Sequence, residues 1–373
     1  MKDLILLGAT GSIGTQTLLS TKNTSYNISV ISIGHNVNKA IEIIKNNDIK
    51  YISCVEEKDS QYIKSLFPNI SVGFGEKGLI EAINYEGDVL NAITGIAGLK
   101  PTIEAIKHKK NVYLANKETL VVAGDIINKL AKDNGVKIIP IDSEHNAIYQ
   151  LLQGINKEDV KKLIITASGG AFRDKARTEL DNVTITDALN HPNWSMGSKI
   201  TVDCATMVNK GLEVMEAHHL FDMPYDKITT VIHKESIIHS MVEYNDNSVR
   251  AVMYNPSMII PIQNALFGFV SKPLVKEIDF VKIGSLTFKE MDYDRYPMIK
   301  LAYEVGRLGG FYPVVYNAAN EKAVELFIKG KIKFLEIEDI INNCISRFKK
   351  SNYNKEFTIE NIIALDKMIK ESI

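Results

Sequence analysis

Between residues 3 and 140, short apolar runs of β-type alternate with stretches of helical periodicity. The runs Leu4–Leu7, Ile28–Ile33, Tyr51–Cys54, Val89–Ala92, Val112–Leu114 and Lys137–Pro140 read as strands. Helical segments of roughly 10–15 residues separate most of them, which predicts βαβ units and a parallel sheet. Beyond this region the pattern changes. Lys162–Thr166, Ile228–His233, Ile237–Tyr244 and Val249–Met253 read as strands among loops rich in Gly, Pro, Ser and Asn. That suits an α+β segment with one exposed sheet face. From Gly268 to Pro297 the periodicity breaks down around Pro273 and several charges, as in a linker. The remainder is helical, with amphipathic stretches at Asn317–Phe327 and Phe357–Ile369. The expected organisation is therefore residues 1–142, 143–267, a linker at 268–297, and a helical portion at 298–373, with no internal repeat.

Composition narrows the class of protein. A chain of 373 residues is longer than single cores usually grow, so two or three domains are expected. Apolar residues make up 45% and charged residues 24%, as in ordinary globular proteins. A net charge of −1 gives no support for a nucleic-acid or anionic-membrane partner. Cys54, Cys204 and Cys344 are few, far apart and odd in number, so no disulfide framework is implied. No stretch approaches the roughly 18 apolar residues of a membrane span. The apolar run in Met1–Leu7 is too short for a signal peptide. The expectation is a reduced, cytoplasmic protein.

The first strand runs into Gly8-Ala9-Thr10-Gly11-Ser12-Ile13-Gly14, and a helix follows. Glycines there permit a tight turn and close backbone approach to a pyrophosphate, and the helix N-terminus favours the anion. The spacing is GxxGxxG rather than GxGxxG, and such triplets also make ordinary turns. The second strand ends Ser32-Ile33-Gly34-His35-Asn36, with Lys39 beyond. No carboxylate stands there to hold ribose hydroxyls or repel a 2′-phosphate. His35, Asn36 and Lys39 can donate to such a phosphate, so NADPH is favoured over NADH. The alternative is that Gly34 only turns the chain and Lys39 is solvated.

A second set of residues has the chemistry of a metal and phosphate site. Asp142 and Glu144 are two apart, so on an extended segment they point the same way toward one ion. With Glu213 they make three carboxylates, a donor set for Mg²⁺ or Mn²⁺ rather than zinc. Alternatively, Asp142-Ser143-Glu144 is a helix cap. Asn209, Lys210 and Glu213 fall close together on a helix, although an ordinary solvated helix would look the same. Ser168-Gly169-Gly170 follows a strand and can present N–H groups and a hydroxyl to an anion, or be a plain loop. His191-Pro192-Asn193-Trp194-Ser195-Met196-Gly197 can fold over a site as a lid, or Trp194 can be a core anchor.

These residues in this order resemble the 1-deoxy-D-xylulose 5-phosphate reductoisomerase family. The likeness is carried by GATGSIG at 8–14, ANKETLV at 115–121, IDSEHNAI at 141–148, TASGG at 166–170, HPNWSMG at 191–197, NKGLEVMEAH at 209–218 and NAANE at 317–321. It implies an α/β protein with a Rossmann-like NADPH domain, a central α+β catalytic domain through which two subunits pair, and a C-terminal helical bundle. It also implies a divalent metal and a sugar phosphate substrate, rearranged by a retro-aldol and aldol sequence and then reduced. By motif, Asp142, Glu144 and Glu213 resemble the metal ligands. Ser143, Ser168, His191, Asn209 and Lys210 resemble substrate and phosphate contacts, with Trp194 closing over them and Cys204 in the phosphate pocket. Thr10, Gly11, Ser12, Ile13, Gly34, His35, Asn36, Asn116, Glu118 and Gly197 resemble cofactor contacts. Lys117 resembles the lysine between substrate and nicotinamide, and Glu144 a residue that can also move protons. His191 is counted with these two among the catalytic candidates.

Some positions depart from the family pattern. Cys204 stands where a serine is usual, Ser198 where a basic residue follows the lid, Ser257 within Pro256-Ser257-Met258-Ile259, and Ala171 where proline is usual. Two other readings compete. A semialdehyde dehydrogenase would use Cys204 as nucleophile but leaves the three carboxylates unexplained. A silent NADPH-binding regulator would be expected to have lost a ligand or a lysine, yet Asp142, Glu144, Glu213, Lys117 and Lys210 are all present.

Overall fold

The structure, a computed structural model, describes residues 2–270 and 272–373. The chain divides into two compact units. The first comprises Met1–Thr119, Ile126–Asn146 and Met258–Val275; the second comprises Leu120–Asp125, Ala147–Ser257 and Lys276–Ile373.

The first unit is built on seven parallel strands, β1 (Lys2–Leu7), β2 (Tyr26–Ser32), β3 (Tyr51–Cys54), β4 (Ser71–Phe74), β5 (Asp88–Asn91), β6 (Val112–Leu114) and β7 (Ile138–Pro140). Their order is β4-β3-β2-β1-β5-β6-β7. The central strand β1 reads as a continuous apolar run because Leu4 to Leu7 are all buried, as expected for a strand covered on both faces. Helices α1 (Ser12–Thr21), α2 (Val37–Asn46), α3 (Glu57–Leu66), α4 (Gly75–Glu81) and α5 (Leu99–Lys107) form the crossovers. Helix α6 (Lys117–Asn134) leads to β7 and is interrupted at Ala123, where φ is −145°. Helix α7 (Ser143–Leu151) follows β7. The strand order reverses between β1 and β5, and ligands of open α/β sheets bind outside the strand ends at such a point. The glycine-rich turn at 8–14 lies there, at the end of β1.

The second unit holds a five-stranded mixed sheet of order β11-β10-β8-β9-β12, made of β8 (Val160–Ala167), β9 (Ile228–Ile232), β10 (Ile238–Tyr244), β11 (Val249–Met253) and β12 (Lys289–Glu290). Strands β8 and β9 are parallel and the other pairs antiparallel. Between β8 and β9 the chain passes through α8 (Ile185–Leu189), α9 (Ser198–Thr206) and α10 (Val208–Phe221). This crossover puts residues 168–170 just past the C-terminal end of β8. Along β9 buried and half-buried positions alternate, the pattern of a sheet with one open face. Helices α12 (Phe280–Ile283), α13 (Pro297–Leu308), α14 (Tyr312–Ile328), α15 (Glu336–Lys349) and α16 (Ile359–Glu371) complete this unit. Helix α11 (Ile259–Phe267) instead joins the first unit, where Ile262 and Leu266 pack with Leu4, Ile31 and Leu90 in one core.

The stretch expected to be a plain linker, 268–297, holds two short elements. Lys289–Glu290 pairs with Val231–Ile232 as an edge strand. Two residues of pairing leave almost no periodicity to read. Among the described residues no helix is long and apolar enough to cross a membrane.

Candidate active site

In the first unit, the turn after β1 needs its glycines. Gly8 has φ +84°, and a Cβ there would lie 2.7 Å from the Ala92 carbonyl oxygen. A Cβ on Gly14 would lie 2.3 Å from the Gly8 oxygen. The backbone N–H of Gly8 donates to Ser32 Oγ at 3.0 Å, tying the turn to the end of β2. Gly11 is the N-cap residue of α1 and offers no side-chain cap, so the first-turn N–H groups face outward without a competing side chain. Thr10, Gly11, Ser12 and Ile13 lie on this turn, a surface with the polarity to receive a pyrophosphate. Past β2, a Cβ on Gly34 would meet nothing within 4 Å. Asn36 caps α2, its Oδ1 accepting the Lys39 N–H at 3.0 Å, which leaves the amide NH₂ as its donor. The Lys39 ammonium pairs with Glu42 at 2.9 Å on the surface.

Asn116 begins the next part of the site. It caps α6 by accepting the Thr119 N–H at 3.1 Å, and its amide donates to the carbonyls of Ile93 at 2.6 Å and Gly95 at 2.8 Å. These bonds pin the loop after β5 to the start of α6 and fix Lys117 on the first turn. Glu118 Oε2 accepts from Asn116 at 3.2 Å. The Lys117 ammonium lies 2.5 Å from Asp142 Oδ2, with the side chains only 7% and 11% exposed. Burial opposes ionisation of Asp142. The Lys117 charge and the hydrogen bond from His145 Nδ1, at 3.3 Å, overcome it and hold the carboxyl well below its usual range.

Asp142 is also a helix cap. Its carbonyl accepts the Asn146 N–H at 2.8 Å and its Oδ1 faces the Glu144 N–H at 3.3 Å. Ser143 and Glu144 are thus helical rather than extended, and Ser143 Oγ donates to Glu144 Oε2 at 2.5 Å. The cap and ligand readings are compatible at one residue, since Oδ1 takes the Glu144 and His145 hydrogens while Oδ2, paired with Lys117, keeps a second lone pair. Two adjacent carboxylates, one held ionised in nearly dry surroundings, suit a hard divalent cation.

In the second unit, Gly169 and Gly170 have φ of +85° and +71°, which opens the turn after β8. Ser168 Oγ lies 3.0 Å from His191 Nε2 and accepts the Gly170 N–H at 3.3 Å. His191 Nδ1 accepts the backbone N–H groups of Asn193 at 3.2 Å and Trp194 at 3.1 Å. Nδ1 therefore carries no proton, and the neutral ring holds it on Nε2, donating to Ser168. Burial, with Arg173 nearby, lowers the imidazole to about 4, so it is neutral at pH 7. With both neighbours donating to its oxygen, the Ser168 hydroxyl proton is available to an anion.

The 191–197 loop is anchored at its base. Asn193 donates to the Lys234 carbonyl at 2.6 Å and to Ser236 Oγ at 2.9 Å. Arg173 donates to Asn193 Oδ1 at 3.1 Å and to the Lys234 carbonyl at 2.8 Å. Trp194 is half-buried, edge-on to His239 with ring centroids 5.9 Å apart. Gly197, the last residue of the loop, is the N-cap residue of α9. Sequence reasoning gave Asn193, Arg173 and His239 no role. Asn193 sits within the lid motif, but the other two have no local signal.

Helices α9 and α10 carry the rest. Cys204 is half-buried on α9, and a Cβ on Gly170 would lie 2.4 Å from the Cys204 carbonyl oxygen, so the turn rests directly on this helix. On α10, Asn209 donates to Glu213 Oε1 at 2.6 Å and Lys210 pairs with Glu213 Oε2. All three are buried, at 8%, 3% and 1% exposure, so this face is not an ordinary solvated one. The second unit thus brings together Ser168 with His191, and Asn209 and Lys210 with Glu213. The first brings together Lys117, Asp142, Ser143 and Glu144.

Comparison with known proteins identifies the family of the chain. Residues 4–124 match the family described as 1-deoxy-D-xylulose 5-phosphate reductoisomerase. Residues 138–221 match its C-terminal domain, and residues 253–372 match a further DXP reductoisomerase C-terminal domain. A 1-deoxy-D-xylulose 5-phosphate reductoisomerase of Bacillus subtilis (strain 168) is 50% identical over 355 residues, 93% of either chain. One from Clostridium kluyveri is 46% identical over 100% of this chain and 98% of its own. Among solved structures, a DOX-P reductoisomerase in complex with NADPH, fosmidomycin and magnesium is 38% identical, with a TM-score of 0.94 over 100% of this chain and 97% of that one. The enzyme from Zymomonas mobilis in complex with NADPH is 36% identical, with a TM-score of 0.90 over 99% and 97%. The chain belongs to the 1-deoxy-D-xylulose 5-phosphate reductoisomerase family.

Proposed function

We propose that this protein converts 1-deoxy-D-xylulose 5-phosphate to 2-C-methyl-D-erythritol 4-phosphate, using NADPH and Mg²⁺ or Mn²⁺, within non-mevalonate isoprenoid synthesis. The observation that carries the reading is the buried Lys117–Asp142 pair beside Glu144. It joins an ionised carboxylate, a second carboxylate and a fixed ammonium, which suits chemistry on a polarised ketone. Asp142, Glu144 and Glu213 would hold the metal, whose contribution when bound is Lewis acidity toward substrate oxygens. NADPH would lie along the turn at 10–13 and past β2 at Gly34, His35 and Asn36, with Asn116, Glu118 and Gly197 as further contacts, and would supply the hydride.

The chain's own groups do the rest. Ser168 donates its hydroxyl proton to the substrate phosphate, neutral His191 lies beside the same phosphate and holds that hydroxyl through Nε2–H, and Cys204, Asn209 and Lys210 join them. Remote binding of this kind holds the reacting end in place. Lys117 stabilises negative charge on oxygen as one carbon–carbon bond breaks and another forms. Ser143 and Glu144 orient substrate hydroxyls, and Glu144 moves a proton between them. Trp194 closes over the substrate and excludes water.

In this reading residues 1–142, with helix α11 packed on them, form the NADPH domain, and the rest of 143–267 forms the catalytic and dimerisation domain. Residues 268–297 link these to a helical domain at 298–373. The protein acts as a cytoplasmic homodimer, with neither nucleic acid nor membrane as a partner. Phosphorus NMR of a reaction with substrate, NADPH and Mg²⁺ tests it. The expected product is a branched polyol phosphate, absent when chelator is added. Recovery of unchanged substrate with folded protein would overturn the reading.

A further inference from the structure

The stretch Asn317–Glu321 is one of the motifs of this chain, yet nothing in the proposed chemistry uses it. We propose that Asn320, through the buried carboxylate of Asp203, is a positioning residue for the phosphate-binding turn Ser168–Gly170, a proposal that rests on the function given above.

Asn320 lies on α14, 0% exposed, and Asp203 on α9, 2% exposed. Asn320 Nδ2 donates to Asp203 Oδ1 at 2.8 Å across a separation of 117 residues. The other carboxylate oxygen, Oδ2, receives the Lys199 ammonium at 2.8 Å, from one turn earlier on α9. A buried carboxylate accepts hydrogen bonds only, so the Asn320 amide has a single usable orientation, nitrogen toward Asp203. The direction of the bond is therefore fixed, and it ties α9 to α14 at this point.

That tie matters because of what rests on α9. The residue after Asp203 is Cys204, and the turn packs onto its backbone. The Cβ position of Gly170 lies 2.4 Å from the Cys204 carbonyl oxygen and 2.8 Å from Ala205 Cα. Gly170 in turn donates its N–H to Ser168 Oγ, which faces His191. A continuous set of contacts thus runs from Asn320 to the two groups assigned to the substrate phosphate. The neighbouring Glu321 faces the other way, toward Lys370 of α16 at 2.5 Å. The motif therefore secures α14 to α16 on one side and α9 on the other.

The test uses the full-length enzyme and Asn320→Ala, with inorganic phosphate as a competing probe of the anion site. The KM for 1-deoxy-D-xylulose 5-phosphate and the Ki of phosphate are expected to rise together by about tenfold, as small misplacements of binding groups do. The kcat should stay within about twofold, and the Kd of NADPH should not change. A lowered melting temperature with KM and Ki at wild-type values would overturn the proposal, because the bond would then be structural only. A parallel loss in kcat and NADPH binding would also overturn it, since the effect would not be confined to the phosphate. If Asn320→Ala does not fold, Asn320→Gln decides. It keeps the donor on a longer stem, so raised KM and Ki are expected, and wild-type values for both would sink the idea. Wild-type enzyme inactive on the substrate would refute the function itself. An active wild type with an unaltered variant would refute only this proposal.

Discussion

Gly170→Ala is a perturbation whose effect can be worked from the backbone. Gly170 has φ +71°, a left-handed conformation that costs a residue with a Cβ roughly 1–2 kcal/mol. The new Cβ would also lie 2.4 Å from the Cys204 carbonyl oxygen, 2.7 Å from its carbon and 2.8 Å from Ala205 Cα. All three are backbone atoms of α9, so no side-chain rotation relieves the overlap. Overpacking of this kind adds about 1–3 kcal/mol. The expected total is about 2–5 kcal/mol, accompanied by displacement of the turn that carries Ser168.

A matched control exists in Gly154→Ala. Gly154 has φ +72° but nothing within 4 Å of its Cβ position, so it incurs only the dihedral term. Urea denaturation of both variants isolates the packing contribution. In steady-state kinetics Gly170→Ala should raise the substrate KM by about 10- to 100-fold, whereas Gly154→Ala should leave it unchanged. If the two variants unfold at the same urea concentration and share the wild-type KM, the described packing of the turn on α9 is wrong.

Other consequences follow from the same geometry. Glu213→Gln keeps the shape and an acceptor for Asn209 but removes the charge; kcat/KM should fall by about 10²-fold or more, with a higher metal concentration needed for half activation. Equal metal dependence in variant and wild type would remove Glu213 from the ligand set. Cys204→Ser replaces a weak thiol donor by a hydroxyl, so the substrate KM should fall about two- to fivefold; unchanged KM and kcat/KM would place Cys204 outside the phosphate pocket. His191 has a pKa of about 4 in the folded chain, lowered first by burial and then by Arg173, against about 6.5 when unfolded. The unfolded chain therefore binds the extra proton between these values. This contribution to stability is fully present above about pH 6.5 and is lost as pH falls toward 4. Melting curves across that window should show a steeper loss for wild type than for His191→Gln, and parallel losses would contradict the assignment.

The parallel sheet was legible because strands buried on both faces are written as unbroken apolar runs. Leu4–Leu7 and Val112–Leu114 are such runs, and both are fully or nearly fully buried. The edge strand β4 was not legible. Its sequence, Ser71-Val72-Gly73-Phe74, is half exposed and holds a glycine required by the Tyr51 hydroxyl, 2.0 Å from where a Cβ would sit. That requirement comes from tertiary packing, which local periodicity does not encode. The same distinction runs through the site. Asn209 with Glu213 could be placed on one helix by spacing alone, whereas Asp142 with Glu144 reads as extended and instead forms the cap and first turn of α7. The Ser168–His191 contact needed a motif, because the two residues are 23 positions apart, with loop and helix between them. The anchors Arg173 and Asn193, and the Asp203–Asn320 bond, join elements whose neighbourhood only the folded chain defines. The return of α11 to the first unit is of the same kind, since an apolar helix face does not name its partner.

The most direct test of the account is the loss of NADPH absorbance on adding 1-deoxy-D-xylulose 5-phosphate, measured while Mg²⁺ or Mn²⁺ is titrated and then withdrawn with EDTA. Oxidation is expected to require the sugar phosphate, to rise with the metal to saturation, and to stop on chelation. Substrate-dependent oxidation that ignores the chelator would contradict the carboxylate metal site. No oxidation by folded, NADPH-binding protein would contradict the proposed reaction.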